Sequence, residues 1–113
     1  MSKGWIGVDL DGTLAFYDGW KGEDQIGAPI PSMVDRVKRW IADGQDVRIF
    51  TARISNGEPH IVEFIEIWVE THVGVKLPVT NIKDFGMIEL WDDRAVQVVP
   101  NTGEPVGYST RGL

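Results

Sequence analysis

The stretch Trp5-Ile6-Gly7-Val8-Asp9-Leu10-Asp11-Gly12-Thr13-Leu14 constrains this chain more than any other. A short apolar run bounded by glycine reads as a buried strand. It ends on two carboxylates spaced i, i+2, after which Gly12 and Thr13 turn the backbone away. In an open parallel sheet, ligands sit beyond the carboxyl ends of the strands. Asp9 and Asp11 therefore fall where a site belongs rather than where a core belongs.

The rest of the chain supplies the sheet. Leu14 to Ile30, with Phe16, Tyr17 and Trp20 among glycines, reads as a loop or short β-flap beside the site. Pro31 to Asp43 has apolar residues at Met33, Val34, Val37, Trp40 and Ile41, the spacing of an amphipathic helix. Pro31 suits its first turn and Gly44 its C-terminal cap. Asp46 to Phe50 reads as a second strand running into Thr51-Ala52-Arg53. A turn over Ser55 to Pro59 leads to a second helix, roughly His60 to His72, with Ile61, Ile65, Trp68 and His72 on one face. Leu77–Thr80 and Met87–Trp91 are predicted strands, Val96–Val99 a candidate fifth, and the tail from Pro100 is expected to be irregular. Strand and helix in alternation give an α/β domain with a parallel sheet. The low helix count leaves one face of the sheet only partly covered.

With 113 residues the chain makes one domain, residues 1–113, and 42% apolar residues are enough for a packed core. No apolar run is long enough to span a membrane, and the N-terminus lacks the apolar region of a secretory signal. The absence of cysteine excludes disulfides, thiol nucleophiles and cysteine-type zinc sites, and fits a cytoplasmic setting. A net charge of −6 argues against a broad nucleic-acid surface but leaves room for a small pocket that binds one phosphate.

Asp9 and Asp11, Thr51 with Arg53, Lys83, and the pair Asp92-Asp93 all fall at predicted strand ends or in the loops beside them. Parallel strands put those ends on one edge, so the groups can converge. Carboxylates held close together cannot all stay ionised without compensation. A hard divalent cation such as Mg²⁺ supplies it and keeps positions open for a phosphate oxygen. One carboxylate then attacks phosphorus, and the other protonates the leaving oxygen and activates water. Lys83 and the Thr51 hydroxyl bind the phosphoryl oxygens, and the backbone N–H groups after Asp9, made accessible by Gly12, can cradle them.

Asp9-Leu10-Asp11-Gly12-Thr13, Thr51, Lys83 and Asp92-Asp93 resemble, in order, the signature motifs of the haloacid dehalogenase superfamily, over about residues 5 to 99. Thr51-Ala52-Arg53 and Asp92-Asp93-Arg94 are similar to the matching stretches of polynucleotide kinase 3′-phosphatase domains and of nucleotidase-like members. The resemblance implies a Rossmann-like three-layer fold around a mainly parallel sheet, and a phosphatase that forms an aspartyl-phosphate. It implies Asp9 as nucleophile and metal ligand, and Asp11 as general acid/base that also lends its carbonyl to Mg²⁺. Thr51 and Lys83 would hold the phosphoryl group, with Gly12, Thr13 and Arg53 at the substrate. Asp93, with Asp92 beside it, would bind the metal; strand alternation turns only one of the two inward, and Asp93 is favoured. Neither gap between motifs has room for a cap domain, so the fold is minimal and its site open. Open sites suit macromolecular ends or need a partner, such as a second copy of the chain, to close them; the expected substrate is a phosphorylated small molecule or a nucleic-acid end.

Several residues have plainer expectations. Arg36, Lys38 and Arg39 form a solvated face, His60 starts a helix, His72 is half-buried, and Tyr17 and Trp20 pack the flap in preference to the alternative of stacking on a substrate base. Arg53 and Arg94 are open between a substrate contact and an ion pair. Two other functions compete. A receiver-type phospho-signalling module uses similar residues, but with the acid pair first; a catalytically silent binding protein would keep the fold alone.

Overall fold

A computed structural model describes residues 3–56 and 58–107. Gly57, inside the expected turn, and residues 108–113, the end of the expected irregular tail, lie outside them, as do residues 1–2 of the expected signal-free N-terminus. The elements are β1 (Trp5–Val8), α1 (Pro31–Ala42), β2 (Asp46–Phe50), α2 (Pro59–Val73), β3 (Val79–Thr80) and β4 (Met87–Trp91), with a 3-10 turn over Ala52–Asn56. They build the expected small Rossmann-like α/β fold: a 4-stranded sheet in the order β3-β2-β1-β4, parallel throughout. No helix of the described residues is long and apolar enough to cross a membrane.

β1 lies inside the sheet, and all of its residues are buried. Period-2 alternation sorts them between faces. Ile6 and Val8 pair with Val47 and Ile49 of β2, and these four join one core with Val34 and Val37 of α1 and Ile61, Ile65, Val69 and Val73 of α2. Burying each such side chain is worth about 1.5–3 kcal/mol, so this layer carries most of the fold's stability. Pro31 and Pro59 occupy the first turns of the helices, where their missing N–H has no helical partner to lose. Gly74 closes α2 in the left-handed region at φ 99°. The buried row of α2 runs Ile61, Ile65, Val69, Val73, one step round from the expected face. Trp68 and His72 sit at its margin with rings 4.6 Å apart.

The other face of the sheet carries no helix among the described residues, so the expected third layer is reduced to a strap. After β3 the chain returns to β4 through residues 81–86, laid over Trp5. The Trp5 indole donates to Asp84 (2.8 Å), and the Trp5 amide donates to Gly86 O (2.7 Å). The Arg48 guanidinium covers the ring at 4.6 Å. The indole and the Gly86 amide hold the Asp84 carboxyl below the usual carboxylate range. Trp5 is thereby 2% exposed without a helix over it.

The candidate fifth strand does not form. Val98 bridges Pro105 instead, with Val99 N–H to Glu104 O and Val106 N–H to Gln97 O. The turn between them uses Asn101 and Gly103 at φ 65° and 76°, so the β-branched run pairs with its own continuation and stays exposed.

Candidate active site

β1 continues to β2 on one side, while the later strand β4 pairs on its other side. The carboxyl ends of β1 and β4 therefore flank the topological switch point, the crevice where open α/β sheets bind ligands. Asp9 extends β1 by one bond, from its amide to Trp91 O at 2.9 Å. Asp92 and Asp93 follow β4 directly. Asp9, Asp92 and Asp93 each bring a carboxylate oxygen within 4.8 Å of the others. Burial pushes the Asp9 carboxyl up to about 8, helped by the charge of Asp92 and by a hydrogen bond to, and the charge of, Asp93. All three donors are hard oxygens, and their mutual repulsion is what a divalent cation relieves. The residues present therefore fit Mg²⁺.

Both members of the Asp92-Asp93 pair reach this group, because past Trp91 the chain is turn rather than strand and alternation no longer applies. Asp92 accepts from the Arg94 amide at 2.8 Å. Asp93 donates its amide to Thr13 Oγ1 at 3.1 Å, and its carboxylate accepts from the same hydroxyl at 3.4 Å. Gly12 (φ 92°) lies under the Asp93 carboxylate, where a Cβ would collide with it. The amides of Gly12 and Thr13 donate to the carbonyls of Ala15 and Leu10, so of the amides after Asp9 these two are engaged within the turn. Gly12 and Thr13 also seat Asp93.

Asp11 lines the same cleft but has a counter-charge of its own. Arg53 Nε and Nη2 donate to its two oxygens at 2.7 and 2.8 Å, and the two side chains are 18% and 5% exposed for Asp11 and Arg53. The guanidinium also donates to the carbonyls of Glu23 (3.1 Å) and Gln25 (2.7 Å) and lies 4.9 Å from the Trp20 ring. Arg53 thus makes an ion pair and also fastens the flap. The base of the flap is a short antiparallel ribbon, Phe16 N–H to Ala28 O and Ile30 N–H to Leu14 O. Gly27 is needed there, because a Cβ would strike the Phe16 carbonyl.

These groups line a cleft of about 610 Å³ with Thr51, Tyr17, Trp20, Phe50, Ser55, Asn56, Asn81 and Arg94. Thr51 is 2% exposed, and its hydroxyl accepts from the Arg53 amide at 3.1 Å. Tyr17 and Trp20 depart from the packing expectation: they stand 45% and 58% exposed on the cleft wall. Lys83 does not line the cleft. It lies exposed on the 81–86 strap, which has reached the opposite end of β1 by Asp84. Asn81 was missed in the sequence although it follows β3 at the same edge as Thr51; position just past a strand end was the available signal. Arg53 as the partner of Asp11 was legible in kind, since parallel pairing of β1 with β2 puts the residues after them side by side.

No family model and no curated protein matches the chain. Its fold is similar to that of a solved structure described as the conserved protein coded by a locus from Bacteroides thetaiotaomicron, with a TM-score of 0.64 and 20% identity over 88% of this chain and 84% of that one.

Proposed function

We propose that this protein is a Mg²⁺-dependent phosphomonoester hydrolase of the haloacid dehalogenase type, without a cap, acting on a nucleotide or a nucleic-acid end phosphate. The observation that supports it best is the meeting of Asp9, Asp92 and Asp93 within 4.8 Å at the switch point, in a cleft shared with the buried Thr51 hydroxyl. Asp9, Asp92 and Asp93 would hold the cation, which supplies charge neutralisation for an approaching anion. Asp9 attacks phosphorus, the bond to the leaving oxygen breaks, and a proton from Asp11 caps that oxygen. Water then attacks the aspartyl-phosphate, gives its proton to Asp11, and releases phosphate and the Asp9 carboxylate. Thr51 and Arg94 contact the phosphoryl oxygens from the cleft wall, and Tyr17 or Trp20 offers a face to a base. Absence of cysteine fits work in the cytoplasm.

Phosphate release from an aryl phosphate and from a 3′-phosphorylated oligonucleotide tests this, with Mg²⁺ or chelator, for wild type and Asp9→Asn. Turnover that needs Mg²⁺ and disappears in the variant supports the hydrolase. Folded protein that binds Mg²⁺ yet turns over neither substrate sinks it. One observation favours a second reading, a cation-binding protein without turnover: both oxygens of Asp11 are engaged by Arg53. The same assay separates the two.

A further inference from the structure

We propose that Arg53 is a positioning residue that works by exchanging partners. An anionic group entering the cleft takes the place of the Asp11 carboxylate on the guanidinium, which frees Asp11 while the flap stays fastened. The inference rests on reading the cleft as a phosphate site.

Three observations carry it. First, Arg53 is nearly buried and is held from three sides at once: by Asp11, by the flap carbonyls of Glu23 and Gln25 and by the Trp20 face. The flap is tied to the body of the fold by this guanidinium, by Ile26 packed against the core and by an exposed pair, His60 with Glu23 at 3.4 Å. Second, Arg53 lines the same cleft as Asp9 and Thr51, where the proposed anion is seated. Third, the bonds to Asp11 come from Nε and Nη2, whereas the bond to the Glu23 carbonyl comes from Nη1 and the bond to the Gln25 carbonyl from Nη2, which carries a second N–H.

A phosphate presents the same pair of oxygens to that fork as a carboxylate does, with more charge. The exchange is one for one. Two N–H bonds leave Asp11 and re-form to two phosphate oxygens, and no buried donor is left without a partner. The carbonyl bonds persist, so the flap does not come loose when the anion binds. Asp11, released, stands two residues from Asp9 and beside the reacting group. Availability of the acid would then follow occupancy of the site.

The test uses inorganic phosphate with Mg²⁺ as the probe. Its affinity is measured by calorimetry for wild type, Asp11→Asn, Arg53→Lys and the double variant. Asp11→Asn removes one negative charge in either background, and that general effect cancels in the cycle. Partner exchange adds a further term, so Asp11→Asn should tighten phosphate about tenfold with Arg53 present and less than about twofold in the Arg53→Lys background. In wild type, the Arg53 Nε–H resonance should shift as phosphate saturates. Equal tightening in both backgrounds, or an Nε–H resonance unmoved at saturation, overturns the proposal and leaves Arg53 a fixed brace. Should Arg53→Lys fail to fold, the wild-type resonance decides. Absence of phosphate binding also overturns it, and aryl phosphate turnover on the same sample shows whether the hydrolase reading falls as well.

Discussion

Asp9 and Asp11 sit two residues apart on one turn, yet the fold treats their charges in opposite ways. Asp9 is grouped with Asp92 and Asp93, and its carboxyl is pushed up to about 8 by burial and by those neighbours. Asp11 has a nearly buried guanidinium bonded to both of its oxygens. The chain supplies a counter-charge for one acid from within. For the other it gathers more negative charge and leaves compensation to come from outside. A stability device looks like the second residue; a site that waits for a cation looks like the first.

The contrast breaks most visibly in substitutions that exchange the two behaviours. Asp9→Asn should lower phosphate release by at least about 1000-fold, the usual loss when a nucleophile is removed, while the chelated protein stays folded and loses no stability. Arg53→Gln should show first in stability. It leaves the Asp11 carboxylate, 18% exposed, without its partner, and breaking such a pair costs about 3 kcal/mol or more. For a domain of this size the midpoint should fall by about 10–20 °C in a thermal melt, and the flap should become the first site of limited proteolysis. If Arg53→Gln melts like wild type, the pair is not what holds the flap.

A smaller effect concerns pH. The folded protein holds the Asp9 proton more tightly than the unfolded chain does, with the carboxyl raised from 3.8 to about 8. Its contribution to stability is therefore full below about pH 4 and declines as pH rises toward 8, where it levels off. Allowing for solvent screening, chelated wild type should lose about 1–3 kcal/mol relative to chelated Asp9→Asn between those limits. Added Mg²⁺ should stabilise the wild type more at pH 8 than at pH 5, because there it replaces a departed proton. Melting curves at the two pH values, with metal and with chelator, check both signs. Wild type and Asp9→Asn falling in parallel would mean that Asp9 is not the strained member of the group.

Much of this was readable in the chain because it depends on local spacing. The strand ending in Asp9, both helices within a residue or two, and the convergence of Asp9, Thr51 and Asp92-Asp93 on one edge follow from apolar periodicity and parallel pairing alone. What escaped depends on long-range geometry. An ion pair was one of two expectations for Arg53, but its choice of Asp11 depends on the register of the neighbouring strands, which the sequence does not show. Val96–Val99 has the composition of a strand, and it turned back because a Pro-Asn-Thr-Gly turn offered nearer partners than the sheet edge. Aromatic residues usually bury, which favours packing of Tyr17 and Trp20 over stacking on a base; a short flap has too little behind it to cover them.

Lys83 gives the smallest expected effect and tests the sequence reading most directly. Order along the chain makes it a phosphoryl ligand, because it follows the third strand as Thr51 follows the second. That analogy assumes that the chain lingers at the carboxyl edge after β3. Here residues 81–86 must instead cross to the start of β4 without a helix, and by Asp84 they touch Trp5 at the far end of β1. An extended residue advances about 3.3 Å, so each step after Asn81 takes the side chain further from Asp9. Asn81, which lines the cleft, is the strap residue left beside the reacting group. Lys83→Ala should therefore change kcat/KM by less than about threefold, whereas Thr51→Val, which removes a buried hydroxyl from the cleft wall, should lower it by about 10–100-fold. A loss of about 100-fold or more in Lys83→Ala would mean that the strap leaves Trp5 during turnover. Hydrogen exchange at the Gly86 amide, bonded to Asp84 at 2.8 Å, would then have to accelerate when substrate is present.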